Sequence, residues 1–512
     1  MFNQQGHLYK NRLILAYFVL LSVFLILLQS LFSKTILGHK YYHSLSETNR
    51  VKEEKIIAPR GVFLDRDGRL LVVNDKNELY GYSRRYLYPK ATAHLLGYLS
   101  LPDEVNLQDY SCGAQPLTNQ FIGKTGLEKY FECRLRGQLG KAIYETNALG
   151  EKTRELARQE PKEGENIKLT VSLKLQKTAL KAFGSLKGAA IASNPKTGEI
   201  LLFHSSPSYN NNQIVRENGL YTQLSQDENK PLFNRLALGL YPPGSVVKPL
   251  IALGALENGV ITPETQYTDN GIFKLGGVEF GNWYYLQYGK TEGEVDVIKG
   301  IKRSNDIFFY HLGVEMGIGE INRWLTKFGL KEQSLQQYFN QSQSLLPNAQ
   351  WKKQTLNEPW YLGDTVNLSI GQGYLLVNPV QFHVAASIIA SNGHKCQLAF
   401  DKNSLRHCQD LRFDQKHLDT VIQGMVQACS PGGTGWPLFD YKINGKQWPV
   451  ACKTGTAEST ADGALPHAWF TVFAPVLDPE IVLTVLVENG GEGSEVAAPI
   501  AKQILTEFFS QD

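Results

Sequence analysis

The chain has 512 residues, with 52 Lys and Arg against 49 Asp and Glu for a net charge of +3, and 42% of its residues are apolar. These are the proportions of a folded protein of roughly two or three domains, not of a disordered one. A near-neutral chain without a basic block gives nucleic-acid binding no electrostatic support, and 11 scattered histidines without HExxH or zinc-type Cys/His spacing lead us to expect no metal and no cofactor.

In chain order, the first feature is residues 13–32, LILAYFVLLSVFLILLQSLF, 20 residues without a charge. At about 1.5 Å per residue they span roughly 30 Å, the hydrocarbon thickness of a bilayer. A buried core helix would show a polar stripe, and this one has only Ser22, Gln29 and Ser30. A cleaved signal would end in small residues, which residues 33–40 do not supply. An uncleaved transmembrane anchor is therefore expected. Lys10 and Arg12 before the span and Lys34 and Lys40 after it leave the positive-inside count near balance.

Next, Pro59-Arg60-Gly61-Val62-Phe63-Leu64-Asp65-Arg66-Asp67-Gly68 reads as a strand ending in an Asp-Gly turn. Gly126-Leu127-Glu128-Lys129-Tyr130-Phe131 running to Leu135-Arg136-Gly137 reads as a short helix closed by glycine, and residues 161–166 as a boundary. Apolar runs on either side of Asn194-Pro195-Lys196-Thr197-Gly198 predict a β-hairpin. A helix should open near Ser245 and stop at Asn258-Gly259. Residues 450–452, 469–473 and 481–487 read as strands and 497–509 as a last helix. The fold class expected is α+β, an antiparallel sheet flanked by helices. Among six cysteines, Cys112 with Cys133 and Cys396 with Cys408 are candidate disulfides, with six buried thiols as the alternative.

Three short patterns carry the chemistry: Ser245-Val246-Val247-Lys248, Ser304-Asn305-Asp306 and Lys453-Thr454-Gly455. Ser193-Asn194-Pro195-Lys196, Lys124-Thr125-Gly126 and Lys196-Thr197-Gly198 repeat two of them, so context must choose. A serine and a lysine three apart share one face only on a helix. Ser193 falls at a hairpin turn, whereas Ser245 follows Pro242-Pro243-Gly244 and opens a helix whose first turn tolerates Pro249. On the local pattern alone the same position reads first as a plain helix cap. Lys453 lies on a strand, Lys196 at a turn tip and Lys124 before a helix. Cys452 should face away from Lys453 and pack.

In their order and surroundings these patterns resemble the class B penicillin-binding proteins. Tyr241-Pro242-Pro243-Gly244-Ser245-Val246-Val247-Lys248-Pro249 looks like that family's nucleophile motif, with Asn234-Arg235 ahead of it. Gly198-Glu199-Ile200 with Pro207-Ser208-Tyr209 looks like its hairpin. Arg60-Gly61, Asp65-Arg66-Asp67-Gly68 and Gly126-Leu127-Glu128 with Leu135-Arg136-Gly137 look like its N-terminal motifs. Pro359-Trp360-Tyr361-Leu362-Gly363-Asp364-Thr365, Gly371-Gln372-Gly373-Tyr374, Phe473-Ala474-Pro475 and Glu488-Asn489-Gly490-Gly491 resemble the elongation-type members, penicillin-binding protein 2. One departure is Asp306, where most of the family has Asn; elongation-type members resemble this chain there. The N-terminal region is also shorter than that subtype's usual one.

The resemblance implies a tail at 1–12, a transmembrane anchor at 13–33, a small α+β pedestal (dimerisation-like) domain at 34–165 and a serine β-lactamase-like transpeptidase domain at 166–512. It implies a D,D-transpeptidase that cross-links peptidoglycan stem peptides during cell elongation and is acylated by β-lactams, with the bulk of the chain on the extracytoplasmic (periplasmic) side of the cytoplasmic membrane. Ser245 would be the nucleophile and Lys248 its base, with Ser304 relaying a proton and Asp306 orienting Ser304. Lys453, Thr454, Gly455 and Thr456 would hold the substrate carboxylate. The partners implied are a multi-pass glycosyltransferase and other cell-elongation proteins. The alternatives are a D,D-carboxypeptidase or β-lactam sensor using the same serine, and a catalytically silent scaffold.

Overall fold

The structure is a computed structural model describing residues 3–103, 110–147, 149–217, 219–404, 407–443, 445–459 and 463–510. Positions 1–2 of the expected tail and 511–512 of the expected transpeptidase domain lie outside the described residues. The chain divides into two compact units, Met1–Pro59 with Gly137–Glu163, and Arg60–Arg136 with Gly164–Asp512.

The first unit begins with helix α1 (Asn3–Phe32), which continues through a wider turn at Ser33–Leu37 into a helix over His39–Arg50. From Tyr9 to Leu37 this helix is long and apolar enough to cross a membrane, and none of its most apolar window is buried against protein. The unit also holds a three-stranded antiparallel sheet of β1 (Val51–Ile56), β2 (Gly140–Thr146) and β3 (Lys152–Gln159), with β2 in the middle. β3 is exposed throughout and rich in Lys, Arg and Glu, which discourages further pairing along a sheet edge.

In the second unit, Phe63–Leu64 forms a short strand paired in parallel with Ile167–Lys168, and the Asp65–Gly68 turn follows it. The single helix expected after Gly126 is two, Gly126–Tyr130 and Glu132–Leu135, because Phe131 leaves helical geometry at φ −91° and ψ 14°. Arg60 pairs with Glu128 at 3.0 Å and Glu132 at 2.8 Å, and Arg84 pairs with Glu128 at 2.8 Å. The Arg60-Gly61 and Gly126-Leu127-Glu128 patterns therefore meet in one buried ionic cluster.

The largest part of this unit builds around one sheet and the helices that cover it. In chain order they are α2 (Leu173–Phe183), β4 (Gly188–Ser193), β5 (Ile200–Ser206), α3 (Lys248–Glu257), α4 (Asp306–Lys327), α5 (Pro379–Ala390), α6 (Gln415–Ala428), β6 (Ala451–Ala457), β7 (His467–Ala474), β8 (Ile481–Val487) and α7 (Ala498–Phe509). The sheet is antiparallel throughout, in the order β5-β4-β8-β7-β6. Its central strands are apolar without alternation because both faces are covered. Ala190, Phe470 and Val485 pack on one side with Leu175, Phe183 and Ile504 of α2 and α7. Ile191, Trp469 and Leu486 pack on the other with Leu250 of α3 and Phe382 of α5. This is the expected α+β architecture, an antiparallel sheet between helices, in a chain that opens with an apolar helix.

All six cysteines are joined: Cys112 with Cys133, Cys396 with Cys408, and Cys429 with Cys452. Cys452 was expected to do no more than pack. It faces away from Lys453 as the strand period requires, and there it meets the loop after α6.

Candidate active site

The approach to Ser245 is shaped by glycine. Gly244 takes a positive φ of 56°, which an L side chain rarely adopts, and turns the chain into a 3₁₀ turn over Gly244–Val247. A Cβ on Gly244 would meet the Thr456 carbonyl oxygen at 2.7 Å, and one on Gly455 would meet Val246 Cγ1 at 2.8 Å. Two missing side chains thus let the turn lie flat against β6. Ser245 comes to rest, half-buried, beside the Lys453-Thr454-Gly455-Thr456 strand. α3 then starts at Lys248 with Pro249 in its first turn, where no intrahelical hydrogen bond is lost. Ser245 and Lys248 lie one turn apart, as the spacing requires.

Ser304-Asn305-Asp306 opens α4. Asn305 accepts a hydrogen bond from the Phe308 N–H at 2.9 Å and caps the helix, and Ser304 is held at a φ of 54°. Lys248 Nζ donates to the Ser304 carbonyl at 2.7 Å, to Ser304 Oγ at 3.5 Å and to Asp306 Oδ1 at 2.6 Å. Lys453 Nζ donates to the same Ser304 Oγ at 2.8 Å and to the Thr454 carbonyl at 2.9 Å. Three pieces distant in sequence therefore converge, with Ser304 between two fully buried lysines.

That burial sets the electrostatics. Removal from water pushes Lys248 below its ordinary value, opposed by the Asp306 carboxylate. Burial, followed by the charge of Lys248, pushes Lys453 well below its ordinary value, again opposed by Asp306. One carboxylate thus serves two lysines, and both are eased toward the neutral form that acid–base chemistry needs.

Among the expected site groups, Asp306, Thr454 and Thr456 make their direct contacts with other protein groups. The Asp306 carboxylate accepts from Lys248 through Oδ1 and from the Trp283 N–H through Oδ2 at 2.9 Å, so its link to Ser304 runs through Lys248. A carboxylate at the first turn of α4 points at the buried ammonium, the strongest donor within reach. The Thr456 hydroxyl donates to Glu492 Oε2 at 2.6 Å, and the Thr454 hydroxyl donates to Thr434 Oγ1 at 2.7 Å. Both hydroxyls are therefore engaged by protein groups before any substrate carboxylate arrives.

The competing patterns are occupied elsewhere. Ser193 is buried and hydrogen-bonded to His383 Nε2 at 2.8 Å, Lys196 pairs with Asp478, and Lys124 pairs with Asp103 at 2.9 Å. A cavity of about 450 Å³ ringed by Tyr98, Tyr130, Tyr209 and Tyr338 includes the Lys124 triplet and none of the three converging motifs. Glu492 and Trp283 were not anticipated. Glu492 directly follows the Glu488-Asn489-Gly490-Gly491 run, and that adjacency was the signal available.

Comparison with known proteins settles the family. The profile described as Penicillin binding protein transpeptidase domain matches residues 188–506, and that described as Penicillin-binding Protein dimerisation domain matches residues 79–169. The chain belongs to the penicillin-binding protein transpeptidase family. Within this family it is similar to peptidoglycan D,D-transpeptidase MrdA of Haemophilus influenzae, at 32% identity over 84% of this chain and 70% of that one. The penicillin-binding protein structures it resembles include Pseudomonas aeruginosa PBP2 in complex with WCK 5153, with a TM-score of 0.78 and 30% identity over 90% of this chain and 97% of the other. Helicobacter pylori PBP2 in complex with MreC superposes with a TM-score of 0.79 and 27% identity, over 90% and 98% of the two chains. With its apolar N-terminal helix, this family member is a membrane-anchored protein with a large soluble part.

Proposed function

We propose that the chain is a peptidoglycan D,D-transpeptidase acting through an acyl-enzyme on Ser245, and that β-lactams acylate the same serine. The observation that carries this reading is the buried Lys248–Ser304–Lys453 chain beside the Ser245 turn.

In the free protein both lysines are lowered by burial, Lys453 further than Lys248, which has the Asp306 carboxylate in contact. A substrate's terminal carboxylate arriving at Lys453, Thr454, Gly455 and Thr456 reverses that order, because its charge stabilises an ammonium on Lys453. Ser304 then gives its hydroxyl proton to Lys453 and takes one from Lys248. Neutral Lys248 accepts the proton of Ser245 as Oγ attacks the penultimate D-Ala carbonyl. The backbone N–H groups of Ser245 and Thr456 stabilise the oxyanion, a contribution of roughly 3 kcal/mol per donor. The C–N bond breaks, the departing D-Ala nitrogen takes a proton through Ser304, and an ester on Ser245 remains. The amine of a second stem peptide attacks that ester, gives up its proton, and Ser245 recovers its hydroxyl.

The division of labour that fits this chemistry is a tail at 1–12, an anchor at 13–33, a pedestal at 34–165 and the catalytic domain at 166–512. The substrate lies outside the cytoplasmic membrane, which puts the bulk of the chain on the extracytoplasmic side. Three disulfides support an oxidising compartment. The Helicobacter pylori relative in complex with MreC supports cell-elongation partners, among which we place a multi-pass glycosyltransferase that supplies the glycan.

Labelling the full chain with a fluorescent penicillin and mapping the modified peptide tests the reading. The label is expected on Ser245, stable over minutes, and absent from Ser245→Ala. A label elsewhere, or penicillin turnover at tens per second, would refute it. Hydrolysed pentapeptide without cross-linked dimer would assign a carboxypeptidase instead.

A further inference from the structure

We propose that Asp269 is a positioning residue for the Ser304-Asn305-Asp306 motif, an inference that rests on the acyl-transfer reading above. Asp269 ends the short strand Tyr267–Asp269 and is 1% exposed. It lies outside the three motifs. Its Oδ2 accepts from Asn282 Nδ2 at 2.7 Å, from Asn305 Nδ2 at 2.7 Å and from the Glu292 N–H at 3.1 Å. Its Oδ1 accepts from the Gly271 N–H at 2.7 Å.

An ionised carboxylate can only accept, so both asparagines must turn their NH₂ groups toward it. Their carbonyl oxygens then face the opposite way. Asn282 Oδ1 receives the Asp306 N–H at 3.2 Å, and Asn305 Oδ1 receives the Phe308 N–H at 2.9 Å. The neighbouring Trp283 N–H closes on Asp306 Oδ2 at 2.9 Å. One buried anion thus orients two amides, and the amides fix the first turn of α4.

That turn presents three of the groups to which the two lysines donate: the Ser304 carbonyl, Ser304 Oγ and Asp306 Oδ1. Ser304 occupies a left-handed conformation that costs energy for any residue with a Cβ and persists only where its surroundings dictate it. Asp269 supplies part of that dictation, acting through Asn305 and Asn282.

The test follows acylation of the full-length chain by fluorescent penicillin over a range of concentrations, separating the saturating rate constant from the half-saturating concentration. Asp269→Asn keeps the shape and replaces one acceptor oxygen with a donor facing donors. It is expected to lower the saturating rate constant between about 10- and 100-fold, the cost of misplacing a reacting group by around 1 Å. The half-saturating concentration and the final labelled fraction stay within about twofold of wild type on the same reasoning. A wild-type rate constant overturns the proposal. So does a reduced labelled fraction that reacts at the wild-type rate, because that is the signature of lost fold and not of lost position. Should Asp269→Asn fail to accumulate, Asn305→Ser decides: serine keeps the helix cap but cannot reach Asp269, and the same two outcomes apply. If the wild-type chain is itself not labelled, the acyl-transfer reading fails and takes this inference with it; a labelled wild type with an unaffected Asp269→Asn overturns this inference alone.

Discussion

Asp306→Asn separates the charge of the Lys248 partner from its shape, and it installs the residue most common at this place in the resembling family. The ion pair it removes is short, 2.6 Å between Lys248 Nζ and Asp306 Oδ1, and both groups are buried. Breaking such a pair typically costs about 3–5 kcal/mol, because the surviving charge is left in a poor medium. Here the loss has a ceiling, since Lys248 can shed its proton. Neutralising a lysine whose ordinary value is 10.5 costs about 5 kcal/mol at pH 7, at roughly 1.4 kcal/mol per pH unit. The wild type already bears some of this, its Lys248 being lowered by burial, so the expected destabilisation at pH 7 falls at the lower end of that range, about 3 kcal/mol. The sign of the pH dependence follows. A lysine lowered on folding binds fewer protons folded than unfolded, so stability rises with pH between its folded value and 10.5. The slope is steeper in the variant, and the gap from wild type should close as pH approaches 10.5. Thermal melting of the two full chains in detergent between pH 7 and 10 measures it. The variant should also reach a given rate of penicillin acylation at lower pH, because its Lys248 is more readily neutral. A gap that stays constant with pH would refute the reasoning, since it would make the defect one of packing.

Lys453→Met removes a buried amine and should abolish labelling while melting no lower than wild type at pH 7. Any gain shrinks toward pH 10.5, since only wild type regains stability there, and a variant that melts lower at every pH would contradict the burial cost. Glu492→Gln keeps an acceptor for the Thr456 hydroxyl but removes a negative charge beside the carboxylate site, so the half-saturating penicillin concentration should fall about fivefold, or roughly 1 kcal/mol. An unchanged value would place Glu492 outside the reach of the bound anion. Cys429→Ser with Cys452→Ser opens a loop between cysteines 23 positions apart and should cost about 3 kcal/mol, read as a lower melting temperature that reductant reproduces in wild type.

Much of the fold was legible because local rules agreed with the global structure. The turn at Asn194-Pro195-Lys196-Thr197-Gly198, the apolar run at 481–487 and the helix stop at Asn258-Gly259 all appear where the residues place them. The same rules chose Ser245 over Ser193, a choice consistent with Ser193 being tied to His383. The remainder depended on contacts between distant segments. Neither Asp269 nor Glu492 sits in a recognisable pattern, and each acquires its role from what α4 and β6 bring to it. The resemblance implies that Asp306 orients Ser304, and what no local pattern shows is that its side chain reaches a lysine 58 positions away. The Cys429–Cys452 bond escaped notice because pairing depends on the loop after α6 folding back toward β6.

That bond has a consequence for how the site is built. Along β6 successive side chains alternate, so a slide of one residue against β7 would exchange the two faces of the strand. Lys453 would then turn into the layer of Ala428 and Leu438, and Cys452 or Thr454, depending on the direction, would stand where the ammonium now reaches Ser304. With Cys452 latched to Cys429, the slide requires a covalent rupture. The disulfide and the catalytic lysine therefore share one alignment: the register that puts Cys452 beside Cys429 is the register that turns Lys453 toward Ser304.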